Sequence, residues 1–324
     1  MIRRTCFGIV PLLAVVASVL PATGAQVYPT KPIRLLVGFP VGGAADIMAR
    51  IVGHKLGEGF GHQIVVDNRP GAGSAIASEM TAKAAPDGYT LLMIGASHAV
   101  NAGLHKKLPY DPVKDFAAVI RVASAPVVLV ANPSLPVQSV TQLIEMARAK
   151  PGQLNFASGG SGSITHLSGE LLKLMANINV MHVPYQGGSL ALADVISGRM
   201  QLLFFSLPGA LPQIKAGRVK AIAVTSTKRS AAAPEIPTIA ESGVAGYEAT
   251  SWSGVLAPAA TPTQIVGKLN AAILGALRSA DVIDAITRQG ADPLGSTPGE
   301  FETYLKSEVA KWAKVIRDAG LRPD

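Results

Sequence analysis

Two glycine- and serine-rich turns carry the residues of this sequence that are best suited to binding a small anion. In the first, Gly42 and Gly43 separate an apolar run from a helical pattern with Asp46 in its first turn. In the second, residues 158–163 separate an apolar run from a helical pattern that contains His166. A helix N-terminus presents unpaired N–H groups and a charge of about +0.5, and glycine lets a ligand approach the backbone. The turns therefore predict an anion site, unless the glycines only close tight turns.

A carboxylate fits these turns better than a phosphate does. Neither the GxxxxGK[ST] pattern nor GxGxxG spacing occurs at either turn, and these are common phosphate-binding patterns. The loops contain no Lys or Arg, so we expect backbone N–H groups, hydroxyls and ordered water to select the ligand. Asp46 would repel an anion placed directly against it, and we expect it to cap N–H groups or to orient a water.

Two further strand ends offer polar contacts. Tyr185 either donates its hydroxyl to a ligand or packs over the neighbouring loop. Gly187 and Gly188 follow it and lead into another helical pattern. Ser97 and Asn101 stand in a predicted loop that also follows an apolar run, and they are candidate polar contacts.

Apolar runs of strand length alternate with helical patterns along the chain. Their hydrophobicity is continuous, which is typical of parallel strands buried on both faces, and the predicted fold class is therefore α/β. Ligands of open α/β sheets bind at the carboxyl ends of strands, where the turns described above lie. The runs cover residues 33–39, 64–67, 90–94, 127–131, 154–157, 179–183, 201–206 and 219–225.

Capping boxes predict three helix starts, and the last two have proline at the first helical position. The pairs are Ser139 with Gln142, Thr261 with Gln264, and Thr297 with Glu300.

The organisation of the chain suggests two lobes that are joined by more than one connecting segment. The apolar runs at 126–131 and 220–225 could both cross between the lobes, and two extended crossings can bend while each lobe stays rigid. We predict a first lobe from residues 26–125 plus 248–324 and a second from 126–247.

The first 25 residues have the layout of a secretory signal peptide. Arg3 and Arg4 precede an apolar stretch, and small residues follow it up to Ala25. A twin-arginine export route is the alternative reading of the two arginines. The apolar stretch is shorter than the roughly 20 residues that a membrane-spanning helix needs. We expect cleavage after Ala25, a periplasmic location, and loss of Cys6, the only cysteine.

The composition and the scattered polar residues argue against other classes. The formal charge is +8, but the cations are dispersed and aromatic residues make up only 5%, so a nucleic-acid partner is not indicated. A serine hydrolase is the enzyme alternative, yet no GxSxG sequence occurs. His166 follows Ser163 at i,i+3, where we expect it to donate a hydrogen bond to a ligand or the loop. With Glu170 it could bind a metal, but no third ligand is evident. We expect no catalytic residue, metal or cofactor.

Seven segments resemble the substrate-binding receptors of tripartite tricarboxylate transporters, the TctC/Bug family. The resemblance runs from about Tyr28 to the C-terminus. The segments, in the order of the family, are YPTKPIRLLVGFPVGGAADIMAR, VVDNRPGAGSAIASEMTAKAAPDGYTLL, LPYDPVKDF, FASGGSGSITHLSGELL, VPYQGG, PTIAESG and SWSGVLAPAATP.

This resemblance implies a type II periplasmic binding protein with two lobes. Each lobe would be a mostly parallel sheet flanked by helices, and two crossing strands would form the hinge. The receptor would be a monomer that delivers a small carboxylate to a membrane complex of one large and one small integral subunit. A sensing role beside a membrane signalling protein is the alternative, and the identity of the carboxylate stays open.

The resemblance also implies how the carboxylate is held, by backbone groups and ordered waters between the two turns. Its motifs match Pro40, Gly42, Gly43 and Asp46 on one side, Ser158, Gly159, Gly162, Ser163 and His166 on the other, and Tyr185, Gly187 and Gly188 in a third segment.

The chain departs from the family pattern at three places. Val41 stands where proline is usual, Gln201 stands near a frequent acidic position, and the segment GGSGS is richer in serine. We expect a looser first turn, no charged contact at Gln201 and a more polar second turn.

Overall fold

A computed structural model describes residues 1, 2 and 28–321. The predicted signal peptide, apart from Met1 and Ile2, lies outside these residues. Within the described part, none of the helices combines the length and apolar character needed to cross a membrane.

The described residues form eleven strands in two sheets. The strands are β1 (Ile33–Val37), β2 (Ile64–Asn68), β3 (Thr90–Gly95), β4 (Phe116–Ala125), β5 (Val127–Ala131), β6 (Asn155–Ser158), β7 (Met181–Pro184), β8 (Leu202–Ser206), β9 (Lys220–Val224), β10 (Ser251–Pro258) and β11 (Asp292–Pro293). The first sheet has the order β11-β4-β10-β3-β1-β2 and the second has the order β7-β6-β8-β5-β9.

Both sheets are mixed, because each contains antiparallel as well as parallel strand pairs. In the first sheet β1 to β4 share one direction, and β10 and β11 run opposite to them. In the second sheet β5 alone opposes the other four strands. Each sheet therefore holds an antiparallel strand between parallel ones, and the α/β class is confirmed.

Ten α-helices flank the two sheets in the described residues. They are α1 (Ala44–Phe60), α2 (Ala75–Ala82), α3 (Ala96–Leu104), α4 (Val140–Ala149), α5 (Ile164–Ala176), α6 (Gly188–Ile196), α7 (Leu207–Lys215), α8 (Thr263–Leu277), α9 (Ala280–Arg288) and α10 (Pro298–Asp318).

The three predicted caps had different outcomes. Thr297 and Glu300 form a complete capping box at α10, which confirms that prediction. Ser139 accepts a hydrogen bond from the Gln142 N–H at α4, but the Gln142 side chain accepts from the Gln138 N–H instead of closing the box. The prediction at Thr261 is wrong, because its hydroxyl donates to the Pro258 carbonyl and α8 starts two residues later.

The eight predicted strands are present, whereas β4, β10 and β11 were not predicted. Arg121 interrupts the apolar run of β4, and Ser251, Ser253 and Gly254 break that of β10. These two strands pair with each other along nearly their whole length, with two register shifts. Long-range pairing thus forms strands where the local pattern is weak.

The chain passes between the sheets beside the two segments that were predicted to cross. β5 and β9, which contain most of those segments, are neighbours in the second sheet. The passages themselves lie at Pro126 and near Thr250, and the buried Thr225 ties them together. Its Oγ1 contacts both backbone groups of Val127, and its carbonyl accepts from the Ala249 N–H. The lobe boundaries at 125/126 and 247/248 stay a prediction.

Helix α10 packs against both halves of the molecule. It contacts α3, which follows the first sheet's β3, and α5, which follows the second sheet's β6. One apolar cluster contains Ile94 from the first sheet, Phe156 from the second, and Phe301 and Trp312 from α10. Burial of a large apolar side chain stabilises by about 1.5–3 kcal/mol, so α10 is a main contributor to a core that spans both sheets.

Candidate functional site

A cleft of ≈ 610 Å³ lies between the two sheets and contains both predicted turns. Pro40 and Gly43 line it from the first turn, and Gly162 and Ser163 line it from the second. Ser97 also lines it, from the start of α3. These are five of the fourteen residues predicted to contact a ligand.

Three helices begin at this cleft. The N-cap residues of α1, α3 and α5 are Gly43, Gly95 and Ser163, and all three line the cleft. The N–H groups in the first turn of a helix have no partner within that helix. The cleft is therefore bordered by three sets of N–H donors, two from the first sheet's helices and one from the second's.

Asp46 holds the first turn from beneath and does not line the cleft. Its Oδ2 accepts the Gly42 N–H at 2.8 Å, and its Oδ1 accepts the Asn68 amide at 2.9 Å. Asn68 also donates to the Phe39 carbonyl at 2.9 Å, and Arg50 closes an ion pair with the carboxylate. The side chain of Asp46 thus caps a backbone N–H, which was one of the two roles predicted for it.

The charge on Asp46 is stabilised in this position. Burial acts to raise its pKa, but hydrogen bonds from Arg50, the Gly42 N–H and Asn68 outweigh burial and lower the pKa. The carboxylate is therefore ionised at neutral pH and is already saturated with donors. Gly42 adopts φ 83° in this turn, a left-handed conformation that favours glycine.

The start of α3 differs from the predicted loop. Gly95 ends β3 and the helix begins at once with Ala96, so that Ser97 is brought to the cleft. Asn101 lies one turn further along, is buried, and donates to the Gly73 carbonyl at 2.9 Å. Asn101 therefore fixes a neighbouring loop and is absent from the cleft lining.

The second turn is held by its own hydroxyl groups. Ser163 caps α5 by accepting the His166 N–H, and its hydroxyl donates to the Gly160 carbonyl at 2.6 Å. The ring of His166 accepts the Gly162 N–H at Nδ1, 3.0 Å away. His166 was predicted to donate to a ligand or the loop, and that prediction is wrong in direction because the loop offers it an N–H group. Gly159 donates its N–H to Thr165.

Ser158 and two histidines lie behind this turn, away from the cleft. Ser158 is fully buried, and its Oγ lies 2.7 Å from His182 Nε2. The rings of His166 and His182 stack with centroids 3.8 Å apart, and Glu170 lies beside His166. Burial and the neighbouring His166 lower the pKa of His182 to about 4. Ser158, His166 and His182 therefore support the second turn from the interior of the protein.

The third predicted segment buttresses the second turn and is also absent from the cleft lining. The Tyr185 hydroxyl donates to Asp194 at 2.8 Å, so it is engaged within the protein. A side chain added at Gly160 would meet the Tyr185 carbonyl at 3.3 Å, and one at Gly159 would meet the Gly188 N–H at 3.5 Å. Gly188 thus lies against the back of the turn, whereas a Cβ added at Gly187 would meet nothing within 4 Å.

Several residues of the cleft were missed by the sequence reasoning. Trp252 and Ser253 line it from β10, Gln289 from the loop after α9, and Phe39 from the first turn. The segment SWSGVLAPAATP contributed to the family resemblance, but it received no role in binding. Its local pattern reveals no ligand contact, because the strand reaches the cleft only through pairing with β3 and β4.

The lining is neutral wherever the structure describes it. No Asp, Glu, Lys, Arg or His belongs to it, and it includes large apolar side chains such as Ile47, Ile94 and Trp252. In the described residues, no group of three or more His, Cys, Asp and Glu side chains is placed to hold a metal ion. The arrangement suits an anion that is bound by N–H groups and hydroxyls.

Comparisons with known proteins identify the family of the chain. The model of the tripartite tricarboxylate transporter family receptor, TctC, matches residues 48–321. Protein BugT of Bordetella pertussis is 36% identical over 317 residues, which are 97% of this chain and 97% of BugT.

Two solved structures extend the likeness to ligand-bound proteins. R. palustris Rpa4515 with adipate is 39% identical with a TM-score of 0.76, and the match covers 92% of this chain and all of that one. MatC from Rhodopseudomonas palustris with bound malate is 31% identical with a TM-score of 0.72, and the match covers 89% and 100%. The matched family is one of substrate-binding receptors, which confirms the expectation that the chain is not an enzyme.

Proposed function

Since this chain belongs to the tripartite tricarboxylate transporter receptor family, we propose that it is a periplasmic receptor that holds a small carboxylate in the cleft between its sheets. The observation that carries the proposal is the meeting of three helix N-caps, Gly43, Gly95 and Ser163, at one neutral cleft. The capture of adipate and of malate by two relatives supports the same ligand chemistry.

The physical basis is the stabilisation of negative charge by backbone dipoles. An anion at a helix N-terminus gains about 0.3–1 kcal/mol at an exposed position and up to about 2 kcal/mol where the site is partly buried. Hydrogen bonds in which one partner is charged contribute about 1.5–3 kcal/mol each. Ala44 and Ala45 in α1 and Ile164 in α5 supply such N–H groups at the cleft, so the carboxylate needs no arginine or lysine partner.

The remaining residues that were predicted to contact the ligand do not line the cleft and instead hold its turns in place. Gly42 and Asp46 set the shape of the first turn, whereas Ser158, Gly159 and His166 set that of the second. Tyr185 and Gly188 support the second turn, and Asn101 fixes the loop at Gly73. The residues that contact the ligand directly are then Pro40, Gly43, Ser97, Gly162 and Ser163.

The delivery partner follows from the family. We propose a membrane complex of one large and one small integral subunit, which a monomeric receptor serves from the periplasm after cleavage behind Ala25. The basic residues followed by an apolar stretch at the N-terminus support export.

A thermal-shift screen of the mature protein, residues 26–324, tests the binding of carboxylates. A ligand at ~100 times its Kd adds about 2.7 kcal/mol to the free energy of unfolding, which raises the Tm by a few degrees. The panel contains aliphatic and aromatic diacids, hydroxy acids, tricarboxylates and acidic amino acids. A shift with one or two acids supports the proposal. If none shifts the Tm, and mass spectrometry of the denatured protein finds no released acid, the carboxylate proposal is wrong.

A further inference from the structure

Gly290 lies against Pro208 where the two halves of the molecule meet beside the cleft. Gly290 follows α9, which packs on α1 and on β11 of the first sheet. Pro208 stands in the first turn of α7, which packs on β5, β8 and β9 of the second sheet. Gln289 and Ala291, the neighbours of Gly290 in the chain, both line the cleft. The contact therefore joins the two halves at the edge of the cleft.

The space at this contact admits no side chain on Gly290. An added Cβ would lie 1.6 Å from Cγ of Pro208 and 2.4 Å from its Cβ. Carbon atoms that are not bonded to each other stay about 3.5–4.0 Å apart, so even a methyl group would drive the proline ring away by roughly 2 Å. Among the glycines that the structure describes, no other position brings an added Cβ so close to its neighbour.

Both partners of this contact are held in place by the fold. The Gly290 N–H donates to the Thr287 carbonyl at 2.8 Å, which fixes Gly290 to the end of α9. On the other side Leu207 is buried, and its N–H donates to the Pro126 carbonyl at 3.1 Å, where the chain passes between the sheets. A side chain at Gly290 would therefore move α7, together with the second sheet, away from α9.

A second contact between the halves is of the same kind. Gly162 lines the cleft in the turn before α5, and a Cβ added there would lie 2.7 Å from Cδ1 of Leu104 at the end of α3. The two halves thus touch at two places where one partner is a glycine. The spacing between them is set by how closely a side chain can approach a bare backbone.

This spacing matters for an anion that lies between helix N-termini. The N-caps of α1 and α3 belong to the first half and that of α5 to the second. A charge-assisted hydrogen bond joins atoms about 2.7–2.9 Å apart. An opening of roughly 2 Å would stretch such bonds well past the limit of about 3.5 Å. The carboxylate would then lose its bonds to one of the two halves.

We propose that Gly290 sets the width of the cleft, because its bare backbone lets Pro208 approach α9 closely enough for α5 to share one carboxylate with α1 and α3. The proposal rests on the carboxylate-binding function above and adds how the two halves are spaced for it. Gly290 is a positioning residue, since it acts through Pro208 and α7 on N–H groups that it does not touch.

Gly290→Ala and Gly217→Ala form a matched pair for testing this role. Gly217 follows α7 as Gly290 follows α9: φ is 67° and 68°, and each N–H donates to the carbonyl three residues earlier. Both substitutions place alanine in the left-handed conformation, so both should lower the Tm to a similar extent. A Cβ at Gly217 would meet nothing within 4 Å, so only Gly290→Ala should open the cleft.

Calorimetric titration of the mature protein with each acid of the carboxylate panel, adipate and malate among them, measures the effect. For every acid that the wild type binds, Gly290→Ala should weaken binding at least about tenfold, the loss expected when one hydrogen bond to a charged group is missing. Gly217→Ala should change the affinity little. Equal affinities in the two alanine variants would overturn the proposal.

Pro208→Gly removes the other side of the contact. In its background Gly290→Ala should weaken binding much less than in the wild type, because no ring is left to displace. An equal loss in both backgrounds would show that Gly290 acts through local backbone strain and not through Pro208. If Gly290→Ala alone does not fold, the double variant should fold and bind, and a double variant that also fails to fold would overturn the proposal.

Failure of this inference is distinguishable from failure of the proposed function. A wild type that binds an acid of the panel, with the same affinity in both alanine variants, rejects the inference alone. A wild type that binds no acid of the panel, with no acid released on denaturation, rejects both.

Discussion

The indole Nε1 of Trp252 donates to Oε2 of Glu308 over 2.9 Å, which ties a wall of the cleft to the middle of α10. Trp312 donates to the same oxygen at 3.0 Å from within the helix. Glu308 is buried, and Lys311 pairs with its other oxygen. The two tryptophans of the sequence thus share one acceptor, yet only Trp252 lines the cleft.

Trp252→Phe and Trp312→Phe form a matched pair for separating binding from stability. Each removes one hydrogen bond to a buried carboxylate, so each should lower the free energy of unfolding by about 1.5–3 kcal/mol. Only Trp252→Phe also changes the wall of the cleft. This variant alone should therefore weaken binding of the carboxylate that the thermal-shift screen identifies. Urea unfolding followed by circular dichroism and calorimetric titration provide the two readings. Equal losses of affinity in both variants would show that Trp252 acts through α10 and not by contact.

Gly43→Asp should abolish carboxylate binding with little change in Tm. Gly43 has φ −74° and ψ 162°, which any residue adopts, and an added Cβ would meet only Pro40 O at 3.3 Å and Phe39 Cβ at 3.9 Å. Asp is a favoured N-cap residue, so the helix tolerates it. The new charge would repel the ligand by about 4 kcal/mol at 4 Å if the effective dielectric constant is about 20.

Gly43→Asn is the matched control for that charge. Asparagine has nearly the same shape and caps helices as well as aspartate does, so it should retain most of the affinity. Titration of both variants with the same acid gives the comparison. If the two variants lose affinity equally, the effect is steric and the anion does not lie against the start of α1.

Asp46→Asn should destabilise the first turn and weaken binding of the ligand. The side chain of Asp46 is 2% exposed and accepts from Gly42, Asn68 and Arg50, and an amide would place a donor against one of these donors. We expect a loss of about 1–3 kcal/mol in the free energy of unfolding. Arg50→Gln, which removes only the half-exposed partner, should lower the free energy of unfolding less than Asp46→Asn does. Urea unfolding measures both, and equal losses would contradict the capping role of Asp46.

His98 should make the protein less stable in mild acid. It is fully buried, its Nε2 donates to the Pro112 carbonyl at 2.9 Å, and its Nδ1 accepts from Ser78 at 3.1 Å. Burial lowers its pKa from 6.5 to about 4, although the bond to Pro112 opposes the shift. Between these values the unfolded chain binds a proton that the folded one does not. The free energy of unfolding should therefore fall as the pH drops from about 6.5 to 4, by up to about 1.4 kcal/mol per pH unit.

His182 contributes in the same pH range, because burial also lowers its pKa to about 4. His98→Gln should reduce the slope of unfolding free energy against pH, and the double variant with His182→Gln should reduce it further. Urea unfolding at several pH values between 4 and 7 measures the slopes. A slope that is the same in the wild type and the double variant would show that neither histidine resists protonation.

The parts of the structure that local patterns encode could be predicted from the sequence. The apolar runs identified eight strands, and the glycines before Asp46 and the serine before His166 identified two of the three helix starts at the cleft. Those signals act within a few residues, as caps and turns do. The same local reasoning placed Asn101 and Tyr185 as candidate contacts, but Gly73 and Asp194 bind their side chains in the fold.

The remainder depends on residues that are distant in the sequence. Ser253 and Trp252 reach the cleft because β10 inserts between β3 and β4, and its partners lie more than a hundred residues earlier in the chain. Thr261 satisfied the capping pattern, yet its hydroxyl bonds back to the carbonyl of Pro258 at the end of β10. Contacts of this kind depend on the whole fold, and the spacing of residue types in the sequence does not encode them.

The position of α10 along the chain has a consequence for the timing of folding. This helix follows every strand of both sheets in the described sequence, and it supplies Phe301 and Trp312 to the apolar cluster that spans them. During synthesis neither half can bury that surface until residues up to Asp318 have been made. The nascent chain therefore stays without a completed core until synthesis has passed the last helix.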